Sequence, residues 1–192
     1  MRITPTTSLQ ELAAMVSETL ESHGILATLS GGAAVSLYTS NRYMSEDLDF
    51  VTGALVKELA AALQPLGFTH SGRPRMSVFT HPSTTWYLEF PPSPISFGSR
   101  YISPDQCVLM PTRLGNIRII SPTHSVMDRL IAAAVWKEPQ SMEQAVMVAE
   151  SQADRIDWPD LQRWILEEGI ADDRHIQLFF SRLNGNKRVG PP

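Results

Sequence analysis

The five residues Asp47-Leu48-Asp49-Phe50-Val51 constrain the folding of this 192-residue chain more than any other run. Strict alternation of acid and apolar residue reads as a β-strand, in which side chains i and i+2 share one face. Leu48 and Phe50 then enter a core. Asp47 and Asp49 stand side by side on the other face, where their mutual repulsion is unfavourable unless a cation offsets it. Such a strand needs a sheet beneath it and a partly open face above. Taken alone, an Asp-x-Asp is more often two solvated acids at a strand end.

What precedes the strand sharpens the reading. Residues 25–30 (ILATLS) suit a short buried strand, and Gly31-Gly32 breaks it and opens a helical turn, AAVSLY. A glycine pair between strand and helix lets backbone N–H groups approach an anion, with the helix dipole behind them. Ser30 and Ser45 can add hydroxyl donors to phosphate oxygens. Further on, Glu89 interrupts an aromatic strand, TWYLEF. A charge there needs a partner, a metal or solvent. Tyr87 and Glu89 share one face of that strand; Trp86, Leu88 and Phe90 share the other.

The rest of the chain supports a mixed α/β (α+β) core followed by helices. Residues 8–22 recur apolar at helical spacing, and Ser8 with Glu11 forms a capping-box pattern. Residues 54–66 read as a second helix. Between 67 and 120, GFTHS, MSVFTH, TWYLEF, QCVLMP and GNIRIIS read as short strands, and nine of the fourteen prolines punctuate Pro65 to Pro122. After Pro122 four helical segments follow: 124–136, 141–153, 158–169 and 173–183. Thr123, Ser141 and Asp157 are the expected N-caps, the last with Pro159 in its first turn. The expected division is a core over 1–120 and a packed helical segment over 121–192, ending in a frayed GNKRVGPP.

Bulk properties exclude several classes. A single cysteine, Cys107, permits no internal disulfide, and its apolar context suits a small buried hydrophobe. No run reaches ~18 apolar residues and the N-terminal stretch has no secretory core, so the expectation is a cytoplasmic protein without a membrane span. A formal net charge of −4 argues against a long nucleic-acid footprint. Arg73, Arg75, Arg100, Arg113 and Arg118 could still form a local strip, with scattered surface positions favoured. The five histidines show no metal-ligand spacing. Asp128-Arg129 reads as an ion pair on a helix, Arg42 as a surface residue, and Trp136, Trp158 and Trp164 as packing for the helical layer.

Strand, Gly-Gly, short helix and S-E-D-L-D-F on a second strand, with a third acid on a later strand, together resemble the DNA polymerase beta-like nucleotidyltransferase superfamily over residues 25–90. Within it the chain resembles small stand-alone members, including abortive-infection type toxins of toxin–antitoxin pairs. The tail S-P-T-H-x-V-x-D-R-L with Trp136-Lys137 looks like their C-terminal segment. The resemblance implies a nucleotidyltransferase-type mixed sheet and transfer of an NMP from an NTP. Ser30, Gly31 and Gly32 would hold phosphates, with Ser45 beside them. Asp47, Asp49 and Glu89 would bind Mg²⁺. Lys137 would face the site as a cation toward the triphosphate. The third acid is commonly Asp, and here it is Glu. The acceptor would be RNA, such as a tRNA 3′ end, or a protein hydroxyl, with a cognate antitoxin as partner. The alternatives are a non-catalytic binding module or antitoxin, and a nucleotidyltransferase acting on a small aminoglycoside-like molecule.

Overall fold

The computed structural model describes residues 2–71 and 77–185. Helix α1 (Leu9–Ser22) begins at the expected capping box: Ser8 Oγ accepts from Glu11 N, and the Glu11 carboxylate accepts from Ser8 N at 3.0 Å. Its apolar stripe, Leu9, Leu12, Val16 and Leu20, is buried. Strand β1 (Ala27–Ser30) follows, then α2 (Gly31–Tyr38), β2 (Asp47–Thr52) and α3 (Val56–Leu63). The Glu58 carboxylate accepts from Leu55 N at 2.7 Å at the start of α3. Gln64–Leu66 adds a 3-10 turn, and Gly67 at φ +91° ends it in the left-handed region.

Strands β3 (Thr69–His70), β4 (Val78–Thr80), β5 (Tyr87–Glu89), β6 (Ile95–Phe97), β7 (Arg100–Ile102), β8 (Val108–Thr112) and β9 (Gly115–Ile119) complete the strand set. Among the described residues one mixed sheet has seven strands in the order β3-β4-β5-β2-β1-β9-β8. β2 pairs antiparallel with β1 and parallel with β5, so it runs through the sheet interior with neighbours on both edges. Leu48 and Phe50 are fully buried, and Phe50 and Phe79 each pack a ring against Phe90. This is the α/β nucleotidyltransferase-type architecture expected from the sequence.

The hairpin β6–β7 was not expected. It lies outside the main sheet, and the helices hold it. Helices α4 (Pro122–Ala134), α5 (Pro139–Ser151), α6 (Trp158–Glu167) and α7 (Arg174–Gly185) form the last part of the described chain. Trp164, fully buried on α6, donates Nε1–H to Phe97 O at 3.1 Å. Arg100 pairs with Asp160 and Glu167, each at 2.8 Å. Glu168 accepts from Ser99 N and Ser99 Oγ. Tyr38 at the end of α2 donates to Ile120 O at 2.6 Å and accepts at its carbonyl from Gln152 Nε2, tying α2 to the sheet and to α5.

Two expected caps are corrected. Ser121, not Thr123, caps α4: its Oγ accepts from His124 N, with Pro122 at the first position. Thr123 is buried in the first turn, and its Oγ accepts from Asp157 N. Helix α5 starts at Glu138-Pro139, so Ser141 lies inside it, buried, donating to Glu138 Oε2. Asp157 caps α6 as expected, accepting from Asp160 N. Arg73, Arg75 and the tail 186–192 lie outside the described residues, as does the start of MSVFTH. Arg100 pairs with Asp160 on α6, while Arg113 and Arg118 pair with Glu11 and Glu21 on α1. Cys107 is half-buried. No helix among the described residues is long and apolar enough to cross a membrane.

Candidate active site

The parallel register of β2 and β5 sets Asp47 opposite Tyr87 and Asp49 opposite Glu89. Across the other edge of β2, Ser30 lies opposite Asp49. Because side chains in register share a face, three carboxylates meet there. One oxygen from each of Asp47, Asp49 and Glu89 lies within 4.8 Å of the other two.

Crowding these acids has an electrostatic consequence. Asp49 is pushed up to about 7, first by burial, then by the charges of Asp47 and Glu89. Glu89 is also raised, by burial and then by Asp47. The Tyr87 phenol is raised for the same reasons. Asp47 accepts from Ser45 Oγ at 2.8 Å. A set of hard oxygen donors that repel one another fits Mg²⁺, which takes one or two carboxylates together with substrate phosphates.

The glycine turn faces the acids. Gly31 sits at φ +61°, in the left-handed region that glycine tolerates. A Cβ there would lie 2.2 Å from Asp49 Oδ2, so any side chain would displace the carboxylate. At Gly32 a Cβ would meet Ser45 Oγ at 2.7 Å. Ser45 is held on three sides: its N–H donates to Ser36 Oγ, its carbonyl accepts from Trp86 Nε1, and its hydroxyl points to Asp47. Ser36 Oγ in turn donates to Gly32 O. Ser30 is buried, with Oγ 3.5 Å from Asp49 O. The structure therefore gathers Ser30, Gly31, Gly32 and Ser45 around Asp47 and Asp49.

Lys137, which the resemblance expects to face the site, belongs to the helical part of the chain. It lies in the turn after α4 at φ +62°, 69% exposed at its side chain. Its Nζ donates to Ala134 O and sits 3.6 Å from Asp173. A cation that acts on Asp49 is Arg129 of α4. Its charge opposes the rise of Asp49, and Asp49 and Glu138 in turn stabilise the guanidinium. Arg129 donates to Asp128 at 2.7 Å and to Gln144, and little of it is exposed. Sequence reasoning saw the Asp128-Arg129 pair but not its relation to β2. The available signal was an arginine set among buried positions, Val126, Met127, Leu130 and Ala133, where an unpartnered cation is costly.

One other residue departs from its sequence reading. Trp136 does not pack the helical layer: it is 72% exposed beside Val135, because it falls past the end of α4 where the helix no longer presents a core-facing stripe. Arg42 is an exposed surface residue, as expected, and it donates to Met147 O and Ser151 Oγ on α5. Beside Glu89 an open groove of about 690 Å³ runs past Val78, Pro91, Pro92 and Leu55.

No protein-family model matches the chain, and no curated protein matches it. Solved structures do. The antibiotic-resistance factor ANT(2'')-Ia in solution superposes with a TM-score of 0.55 at 13% identity, covering 96% of this chain and 97% of that one. Its crystal structure in complex with adenylyl-2''-tobramycin gives 0.54 at 14% identity, covering 92% and 99%. An antigenic nucleotidyltransferase-like protein from Paracoccidioides brasiliensis gives 0.57 at 14% identity, covering 96% and 90%. The fold they share with this chain is that of nucleotidyltransferases.

Proposed function

We propose that the chain is a Mg²⁺-dependent nucleotidyltransferase that moves an NMP from an NTP to an acceptor hydroxyl. One observation carries this reading: three carboxylates from two parallel strands converge opposite a glycine turn that only glycine can form. Asp47, Asp49 and Glu89 are the ligands such an ion would use, and when bound it would neutralise phosphate charge in the transition state.

The chain's own groups divide the remaining work. Backbone N–H groups at Gly31 and Gly32, backed by the N-terminus of α2, approach the phosphates, with Ser30 beside them. Ser45 positions Asp47 through its hydroxyl. Glu89, on the strand beside Asp47 and Asp49, is placed to take the acceptor's proton. The acceptor oxygen then bonds to the α-phosphorus, the bond from that phosphorus to the bridging oxygen breaks, and pyrophosphate leaves. Arg129 supplies a fixed positive charge near Asp49, and Lys137 is the cation that the family resemblance sets toward the triphosphate.

An RNA or tRNA 3′ end, or a protein hydroxyl, is the acceptor that the sequence resemblance supports, and a toxin role silenced by a cognate antitoxin belongs to the same reading. A small-molecule acceptor is a second reading, supported by the likeness to ANT(2'')-Ia bound to adenylyl-2''-tobramycin. The test is incubation with α-labelled NTPs, Mg²⁺ and either total RNA, cell lysate or amine-bearing alcohols. Label should appear in one acceptor pool and vanish with Asp47→Asn. No label in any pool, with no rise in Tm on adding NTP and Mg²⁺, would overturn the proposal.

A further inference from the structure

Residues 39–46, between α2 and β2, contain no helix or strand, so side chains must fix what regular backbone pairing does not. Three hydrogen bonds meet at Ser45, which is buried near the end of this segment. Its N–H donates to Ser36 Oγ at 3.0 Å, its hydroxyl donates to Asp47 Oδ1 at 2.8 Å, and its carbonyl accepts from Trp86 Nε1–H at 3.1 Å. Ser36 Oγ donates onward to Gly32 O at 3.1 Å. Ser45 thus joins the Asp47 carboxylate to the glycine turn, and the indole of Trp86 ties that junction to a third element.

Trp86 stands directly before β5, three residues ahead of Glu89, and its own N–H donates to Thr84 Oγ1 at 3.2 Å. The ring is half-buried and packs against the core, so its one polar atom needs a fixed acceptor. The pairing of β2 with β5 begins at Asp47 and Tyr87, two residues after Ser45 and one after Trp86. The indole bond therefore closes the end of the sheet that bears the acids. Without it Ser45 loses its anchor to the Glu89 strand, which frees the hydroxyl that orients Asp47 and slackens the arm to Gly32.

The geometry points to Trp86 as a positioning residue for nucleotidyl transfer: its N–H fixes Ser45, and through Ser45 both the Asp47 carboxylate and the phosphate turn. The inference rests on the divalent-ion reading of the three acids. Two substitutions separate the donor from the packing. Trp86→Phe keeps an aromatic ring and loses the N–H; Trp86→His keeps a ring N–H at the place of Nε1 and loses the fused benzene ring. Mn²⁺ affinity, followed by electron paramagnetic resonance at pH 8 where imidazole is neutral, is compared with Tm. Trp86→Phe should bind Mn²⁺ about three- to tenfold more weakly than wild type, the size of one net hydrogen bond, and should lose part of the tightening that an NTP brings. Trp86→His should recover most of the affinity although it melts below Trp86→Phe. A packing role alone would rank the affinities as it ranks the Tm values, and that order overturns the inference. Ser45→Ala should weaken binding likewise, and adding Trp86→Phe to it should change little further; effects that multiply independently overturn the inference too. Wild type that binds Mn²⁺ no better than Trp86→Phe sinks the inference alone, whereas wild type that binds no Mn²⁺ sinks the transfer reading and the inference with it.

Discussion

Replacing Asp49 by Asn should stabilise the metal-free protein, increasingly as pH rises from about 4 to about 7. Asp49 titrates near 3.8 in an unfolded chain and at about 7 in the folded one. Between those values the folded state keeps a proton that the unfolded state has released, so stability falls as pH rises through that window. At about 1.4 kcal/mol per pH unit the ceiling is about 4 kcal/mol. Residual solvent contact and relaxation bring the expected loss to about 2 kcal/mol. Asn is nearly isosteric and carries no charge, so it escapes this penalty. Urea denaturation at pH 5 and pH 8 reads the difference. With a slope of about 2 kcal/mol per molar, the variant's midpoint should exceed that of wild type by about 1 M at pH 8 and by much less at pH 5. Saturating Mg²⁺ should close the gap at pH 8 by stabilising wild type alone. Equal midpoints at both pH values would refute the electrostatic reasoning.

Gly31→Ala should cost about 2 kcal/mol or more, from the left-handed backbone and from a Cβ driven onto the Asp49 carboxylate; thermal melts should show the loss, and the response to Mg²⁺ and NTP should disappear with it. Arg129→Met should destabilise by about 3 kcal/mol by stranding the half-buried Asp128, while Lys137→Ala should stay within about 0.5 kcal/mol; parallel urea melts rank the two, and the opposite order would refute the burial argument. Ser8→Ala should cost about 1 kcal/mol through loss of the α1 capping box, checked by the same melts.

Local chemistry made much of this architecture readable. Alternation placed Asp47 and Asp49 on one face, the Ser8–Glu11 pattern located α1, and Asp157-Trp158-Pro159 located α6. The β6–β7 hairpin escaped because Ile95–Ile102 has weak alternation and gains its stability from Trp164, Asp160 and Glu168, 60 or more residues away. The α4 and α5 caps slipped by two or three residues because Pro122 and Pro139 preset the first helical turn, moving the cap to Ser121 and Glu138 ahead of the better-looking Thr123 and Ser141. For the site, the acids and glycines were legible because strand periodicity and turn geometry are local properties. The cation was not. Arg129 and Lys137 lie eight residues apart on and beyond one helix, and which of them acts on β2 depends on how α4 packs, which no local pattern encodes.

The central claim is that Asp47, Asp49 and Glu89 form one divalent-ion site. Titration of Mn²⁺ followed by electron paramagnetic resonance tests it most directly. Wild type should bind Mn²⁺ saturably, release it to excess Mg²⁺, and bind it more tightly when an NTP is present, while Asp47→Asn, Asp49→Asn and Glu89→Gln should each weaken binding. Mn²⁺ binding that is absent in wild type, or unchanged in all three variants, would contradict it.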